Sequence, residues 1–133
     1  MNEAEEIKKK LSEYFSQNEK IDTVLLFGSF SKGTFNENSD IDIAVHSQLP
    51  LDYETLSTIQ TELSLLCHRE IDLSDLAQAE GIFLYQIMTT GVKIKIKPTV
   101  FVKYLTKALC FKEDFLPAIE YIRREKIRRF VNG

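Results

Sequence analysis

The sequence predicts an α/β fold in which a short mixed β-sheet is flanked by α-helices. Four short segments are either apolar or alternate polar and apolar residues, as strands do. Other segments repeat apolar residues every three or four positions, as amphipathic helices do. Their order is helix, strand, strand, helix, strand, helix, strand, helix, which is typical of helices packed against a mixed sheet.

The first half of the chain contains one helix, two strands and a polar loop. A helix is predicted from Glu3 to about Ser16, and residues 22–27 form a short apolar strand that ends at Gly28. Residues 28–39 are too polar for a core element and form a loop with room for one helical turn. Residues 40–45 begin with alternating acidic and apolar side chains and are predicted to form a second strand. The inward face of the first helix carries Ala4, Ile7, Leu11 and Phe15.

The second half begins with a helix for which Asp52 is the predicted N-cap, with Leu56, Ile59, Leu63 and Leu66 on one stripe. Residues 70–73 alternate as a third strand. A helix from about Leu76 follows, with Asp75 and Gln78 in capping-box spacing, and it ends at Gly91.

The chain closes with an edge strand and a last helix. Residues 93–97 alternate lysine and isoleucine, which suits a sheet edge, with contact to a partner sheet as the alternative. Residues 112–130 form a helix with Phe115, Ile119, Ile122 and Ile127 inward. Its basic end is either a solvated helix terminus or a patch for an acidic partner or RNA; it contains Arg123, Arg124, Lys126, Arg128 and Arg129.

Composition indicates one soluble domain spanning residues 1–133. With 44% hydrophobic and 28% charged residues, the chain can bury its own core. A net charge of −3 argues against direct nucleic-acid binding over the whole surface. Cys67 and Cys110 lack metal-site spacing and are predicted to be buried free thiols. No signal peptide and no membrane span is visible, so we expect a cytoplasmic protein without membrane association.

Three aspartates on two predicted strands indicate a metal site. Alternation places Asp40 and Asp42 on one face, roughly 6.5 Å apart at their backbones, within reach of one or two Mg²⁺ ions. Asp72, on the third strand, either completes the metal shell or accepts a proton from an attacking hydroxyl. The alternative is a solvated strand face. His46 and His68 lack ligand spacing and are interpreted as strand-end or surface residues.

The turn before these aspartates is suited to binding phosphate. Gly28 allows close approach of the backbone, and Ser29 offers an N–H group and a hydroxyl to a phosphate oxygen. Lys32 can neutralise phosphate charge, and the alternatives are that Ser29 is a turn residue and Lys32 a solvated loop lysine. A Gly-Ser pair followed after ten residues by Asp-x-Asp arises by chance in on the order of one in a thousand chains of this composition.

This combination resembles the signature of the DNA-polymerase-β-like nucleotidyltransferase superfamily. The resemblance is carried by residues 28–34, Gly-Ser-Phe-Ser-Lys-Gly-Thr, by Asp40-Ile41-Asp42 and by Ile71-Asp72-Leu73. The chain is most similar to minimal nucleotidyltransferases of the MntA type, which are antitoxins paired with HEPN-domain RNase toxins of the HepT type. One departure is Phe30, where the family commonly has arginine, and another is lysine at position 32.

The resemblance implies a nucleotidyltransferase fold, a magnesium cofactor and ATP as the nucleotide donor. It implies that Asp40 and Asp42 hold the metal, that Asp72 assists the incoming hydroxyl, and that Gly28 and Ser29 hold the triphosphate. The implied reaction places AMP on a tyrosine of the HepT-type toxin, as an antitoxin function. Whether the chain is a homodimer or a hetero-oligomer stays open.

Two rival functions remain at this stage. One is the same chemistry on a small-molecule hydroxyl of the aminoglycoside kind, which the short chain disfavours because no second domain encloses such a substrate. The other is a non-catalytic antitoxin that only occludes its partner, which the intact carboxylates disfavour. Nucleic-acid polymerisation is disfavoured because no template-holding domain is evident.

Overall fold

A computed structural model describes residues 2–36, 38–114, 117, 120, 121 and 123–125, with the side chains of Ser31, Lys32 and Asp114 outside that description. The helices are α1 (Glu3–Ser16), α2 (Ser29–Lys32), α3 (Tyr53–Cys67), α4 (Gly81–Thr90) and α5 (Pro98–Asp114). The strands are β1 (Ile21–Phe27), β2 (Ile41–Ser47), β3 (Ile71–Asp75) and β4 (Val92–Lys95). A single 3₁₀ turn, Leu76–Gln78, follows β3.

The four strands form one mixed sheet in the order β3-β2-β1-β4. Strand β1 is antiparallel to both β2 and β4, whereas β2 and β3 are parallel. The parallel pair is joined through α3, as a parallel connection requires a crossover. The predicted short mixed sheet with flanking helices is therefore confirmed.

Each face of the sheet has its own buried core. Leu26 and Ile43 face α1 and α3, and that core also contains Ile7, Leu11, Phe15, Ile59, Leu63 and Cys67. Leu25 and Ala44 face α4 and α5, and that core also contains Leu84, Ile87, Met88, Val100, Tyr104 and Ala108. Successive strand residues point to opposite faces, so Asp42 shares the α4 and α5 side with Ala44.

The predictions for α1 and α3 are largely confirmed. Helix α1 has the predicted bounds and buries Ile7, Leu11 and Phe15. Asp52 caps α3, because its Oδ1 accepts a hydrogen bond from the Thr55 N–H at 2.7 Å. The predicted position of Leu66 was wrong: it is 38% exposed. Cys67 is buried instead, since it continues the four-residue row of Ile59 and Leu63.

The later helices require two corrections. Asp75 does act as a cap, accepting from the Ala77 N–H at 3.0 Å, but it caps only the 3₁₀ turn, and α4 begins at Gly81. The last helix begins at Pro98, and not at Lys112; proline is well tolerated at a first helical position because its missing N–H has no partner there. The residues predicted to point inward from the last helix lie outside the described residues; they are Phe115, Ile119, Ile122 and Ile127.

The remaining sequence predictions concern cysteines, the basic helix end, the sheet edge and membranes. Cys67 is a buried free thiol as predicted, whereas Cys110 is exposed on α5. Arg123 and Arg124 are exposed, and the rest of the basic cluster is outside the description. Strand β4 is an edge strand as predicted. Within the described ranges, no helix is both long and apolar enough to cross a membrane.

Candidate active site

Asp42 and Asp72 stand side by side on neighbouring parallel strands. They are direct partners in the β2–β3 register, between the pairs Ile41–Ile71 and Ile43–Leu73. These four apolar side chains pack in or against the α1 and α3 core and so fix the register. Both aspartates consequently project from the opposite face, towards the side of α4 and α5. Neighbouring strands are about 4.8 Å apart, which brings the two carboxyl groups together.

The electrostatics of Asp42 reflect its two predicted carboxylate neighbours. Its pKa is raised above the ordinary value, first by partial burial, then by the negative charges of Asp72 and Asp40 and by a hydrogen bond with Asp72. Asp40 lies immediately before β2, and both it and Asp72 are exposed. A cation placed among these groups would relieve the repulsion that raises the pKa of Asp42.

The carboxylates are neighbours without forming a preassembled metal cage. Among the described residues, no group of three or more His, Cys, Asp or Glu side chains is arranged so that it could hold a metal ion. Carboxylate oxygens are nevertheless the ligands that Mg²⁺ prefers. The assignment of Asp40, Asp42 and Asp72 as metal ligands therefore stays a prediction.

Gly28 occupies the tight turn between β1 and α2 and lies directly against Asp42. Its φ of 67° and ψ of −131° are in a region that side-chain-bearing residues rarely adopt. A Cβ atom built on Gly28 would also collide with Oδ2 of Asp42. Phe27, the preceding residue, pairs with Asp42 across the β1–β2 ladder. The turn and the carboxylate can share this space only because residue 28 is glycine.

Ser29 places an unsatisfied hydroxyl next to this turn. Its Oγ is buried and has no hydrogen-bond partner within the described structure. Leaving a buried polar group unpaired costs about 1–3 kcal/mol, so such a group needs an explanation, and a ligand that supplies the missing bond is one. A phosphate oxygen beside Gly28 and Ser29 would do so.

Phe30 stands where the family commonly has arginine, and it makes an aromatic contact. Phe30 packs against Phe35, with ring centroids 4.3 Å apart, and the guanidinium of Arg69 lies 4.6 Å from the Phe35 centroid. The sequence reading did not identify Arg69, because a single cation before a strand carries no periodic or motif signal. The side chain of Lys32 is outside the described part of the chain, so its predicted role in nucleotide binding stays a prediction.

One cavity bordered by polar side chains lies away from the carboxylates. A space of about 490 Å³ at the far end of β2 is bordered by residues that include His46, Asp75, Lys97, Lys103 and Tyr104. His46 lies near the end of β2, as predicted; it is buried there, and its Nδ1 is 2.9 Å from Oδ1 of Asp22. The predicted site residues instead lie at the opposite end of β2, where β1 ends and β2 and β3 begin.

Comparison with known proteins places this geometry in a family. The family model described as polymerase beta nucleotidyltransferase matches residues 9–99, a span that contains every predicted site residue. The protein adenylyltransferase MntA of Shewanella oneidensis is 36% identical over 75 residues, which are 56% of this chain and 54% of that relative. The alignment thus spans about half of the relative's length.

Two solved structures share the fold over nearly their full length. A chain of a toxin–antitoxin complex crystallised with AMP-PNP is 26% identical with a TM-score of 0.74, covering 90% of this chain and 98% of that one. A chain from the structure of a tri-AMPylated Shewanella oneidensis HEPN toxin in complex with MNT antitoxin has a TM-score of 0.70. At 21% identity, with 93% of this chain and 98% of that one covered, the second shows the fold alone. The family match and the paired aspartates agree, and this chain belongs to the polymerase beta nucleotidyltransferase family.

Proposed function

We propose that this chain is a Mg²⁺-dependent protein adenylyltransferase that transfers AMP from ATP to a tyrosine hydroxyl of a HEPN-domain, HepT-type RNase toxin. It would thereby act as an antitoxin in the cytoplasm, as a single minimal nucleotidyltransferase domain. The observation that carries the proposal is the register pair of Asp42 and Asp72 beside the Gly28–Ser29 turn. The adenylyltransferase relative and the AMP-PNP-bound toxin–antitoxin neighbour support the donor and the kind of partner.

The side chains present are of the kinds that bind a magnesium ion and a triphosphate. Asp40, Asp42 and Asp72 would hold the metal, which supplies positive charge against the α-phosphate and the leaving pyrophosphate when bound. The raised pKa of Asp42 supports this, because after partial burial the negative charges of Asp72 and Asp40 contribute to it, and a bound cation would offset those charges. The buried Ser29 hydroxyl would donate to a phosphate oxygen, and Lys32 would balance triphosphate charge.

The chemical step would be a direct displacement at the α-phosphorus. The acceptor oxygen attacks, the bond to the bridging oxygen of the β-phosphate breaks, and pyrophosphate leaves. The proton of the acceptor hydroxyl would pass to Asp72, whose exposed carboxylate an approaching partner side chain can reach. The protein would act mainly by positioning the groups and by electrostatic stabilisation.

The test is transfer of label from α-³²P-ATP to a purified HEPN-domain, HepT-type toxin. Asp42→Asn removes one negative charge from the site and should lower transfer by at least about 1,000-fold, while the two proteins still co-purify. Asp52→Asn is the matched control, because Asp52 caps α3 outside the site and asparagine is an equally good N-cap.

Each outcome has a definite meaning. Full labelling by the Asp42→Asn variant would refute the metal assignment. A wild-type chain that binds and silences the partner without labelling it would establish the occlusion function instead. Labelling of an added aminoglycoside, with none on the partner, would favour the small-molecule acceptor.

A further inference from the structure

Arg69 is a nearly buried cation that the proposed chemistry does not use. Only 8% of its side chain is exposed. Its Nη1 donates to the carbonyl oxygens of Asn36, at 2.7 Å, and Ser39, at 3.1 Å. Its Nε donates to Oε1 of Glu3 at 3.1 Å, and Nη2 contacts the same oxygen. The guanidinium thus joins the first turn of α1 to the loop before Asp40.

Hydrogen bonds hold the backbone on both sides of Asp40, at Ser39 and at Ile41. Arg69 binds the Ser39 carbonyl, while the Ile41 N–H donates to the Glu70 carbonyl at 2.9 Å. Asp40 is exposed and lies outside β2. Its position relative to Asp42 and Asp72 therefore depends on these two ties to residues 69 and 70, which lead directly into β3.

The same guanidinium is also linked, through two aromatic rings, to the turn that carries Ser29. Arg69 lies over Phe35, and Phe35 packs on Phe30, the residue after Ser29. The stack of Arg69, Phe35 and Phe30 therefore links the two ends of the ten-residue spacer. In this chain Phe30 packs against Phe35 of the loop. The cation that contacts Phe35 is Arg69, which lies between α3 and β3.

We propose that Arg69 is a positioning residue that fixes Asp40 and the Gly28–Ser29 turn relative to Asp42 and Asp72. Arginine suits this task because its planar group can donate in several directions and stack on a ring at once, which lysine cannot do. The expected loss of AMP transfer without Arg69 rests on the proposed function, whereas the expected loosening of the loop does not.

The structural consequence is tested by amide hydrogen exchange on the full chain without nucleotide. In Arg69→Met, amides at 34–36 and 38–41 should exchange at least about 10-fold faster, while those of β1 and α4 keep their rates. Lys10→Met is the matched control, because Lys10 also donates to a backbone carbonyl, that of Leu66 at 3.4 Å, but does not touch the loop. It should leave the loop amides unchanged.

The kinetic consequence is tested in the AMP-transfer assay. Arg69→Met should lower kcat by about 10- to 100-fold and raise the half-saturating Mg²⁺ concentration, with the KM for the acceptor unchanged. Arg69→Lys should recover part of the loss. If Arg69→Met fails to fold, Glu3→Gln loosens only the anchor of Arg69 and should give a smaller change of the same kind.

Unchanged exchange in the loop, or an equal rise in exchange along the whole chain, would overturn the positioning role. Restored loop exchange in Arg69→Lys without any recovery of kcat would also overturn it. Absence of transfer by the wild-type chain would refute the proposed function and leave the exchange result to decide on Arg69.

Discussion

At the scale of single residues, the site depends on space shared between a glycine and a carboxylate. Gly28 has a positive φ, and its missing side chain leaves room for Oδ2 of Asp42. Gly33 has nearly the same φ, 71°, but nothing within 4 Å of where its Cβ would be. The two glycines differ in ψ, −131° against 15°, and only a side chain at Gly28 would collide with the site.

We expect Gly33→Ala to lower the free energy of unfolding by about 1–2 kcal/mol, because it places a Cβ in the left-handed region. Gly28→Ala should lower it by more, because its backbone conformation is one that glycine alone adopts readily and its Cβ would collide with Asp42. Only Gly28→Ala should also lower AMP transfer, by about 100-fold, since it displaces Asp42. Urea titration and the transfer assay measure the two effects. Equal activity of the two variants would show that the position of Asp42 does not matter.

The sequence alone predicted the positions of some of these site residues but not of others. Strand alternation and the Gly-Ser turn predicted where Asp42, Asp72 and Gly28 would lie, because those signals are local. Arg69 could not be predicted, since its partners Ser39 and Glu3 are 30 and 66 residues away in the chain. Contacts of that kind have no periodic signature.

At the scale of elements, the strands were easier to predict than the last helix. Helix α5 was missed before residue 112 because the segment from Val100 to Phe111 is apolar on several sides. Its buried residues, Val100, Tyr104 and Ala108, do lie four apart. Exposed Val102 and Leu109 obscure that row, so no single apolar stripe stands out.

The edge strand β4 shows that equivalent lysines in a sequence pattern can have unequal roles. Lys95 donates to the carbonyl oxygens of Phe15, at 2.8 Å, and Asn18, at 3.1 Å, at the C-terminal end of α1. That end has no basic residue of its own in its last turn. Lys93 instead lies over the Phe101 ring at 4.6 Å. A cation at a helix C-terminus is favourable, so Lys95 joins the strand to α1.

We therefore expect Lys95→Met to lower the free energy of unfolding by about 2 kcal/mol, because it removes two charge-assisted bonds from a partly buried position. Lys93→Met, on the same strand, should cost less than about 1 kcal/mol. Chemical denaturation of both variants provides the measurement. A larger loss for Lys93→Met than for Lys95→Met would contradict the attachment of β4 to α1 through Lys95.

At the scale of the whole molecule, the two ends of the sheet respond oppositely to pH. At one end, burial and the charges of Asp72 and Asp40 raise the pKa of Asp42. At the other, burial acts to raise the pKa of Asp22, but hydrogen bonds from His46 and Gln48 outweigh it and the pKa is lowered. Ionisation of Asp42 therefore opposes folding, and ionisation of Asp22 favours it.

The raised pKa of Asp42 predicts how the melting temperature of a variant depends on pH when a chelator is present. Because the folded-state pKa of Asp42 lies above its ordinary value of 3.8, stability is lost as the pH rises from there through the raised value. Asp42→Asn should melt a few degrees higher than wild type at pH 7, with the difference shrinking below about pH 4. Added Mg²⁺ should raise the melting temperature of wild type only.

Asp22→Asn is the control of opposite sign. The lowered pKa of Asp22 gives stability that is present above 3.8 and lost as the pH falls through the folded-state value. This variant should melt below wild type at pH 7. A lower melting temperature for Asp42→Asn at pH 7 would show that the Asp42 carboxylate is not under electrostatic strain.

The register of β2 and β3 also has a consequence for protein design. Both strands carry an apolar-acid-apolar triplet, Ile41-Asp42-Ile43 and Ile71-Asp72-Leu73, aligned without offset. The pairs Ile41–Ile71 and Ile43–Leu73, which are buried except for the partly buried Leu73, decide the alignment, and the acids follow wherever those pairs are placed. A designer who transplanted β2, α3 and β3 onto another sheet would carry over a pair of adjacent carboxylates without specifying their positions separately.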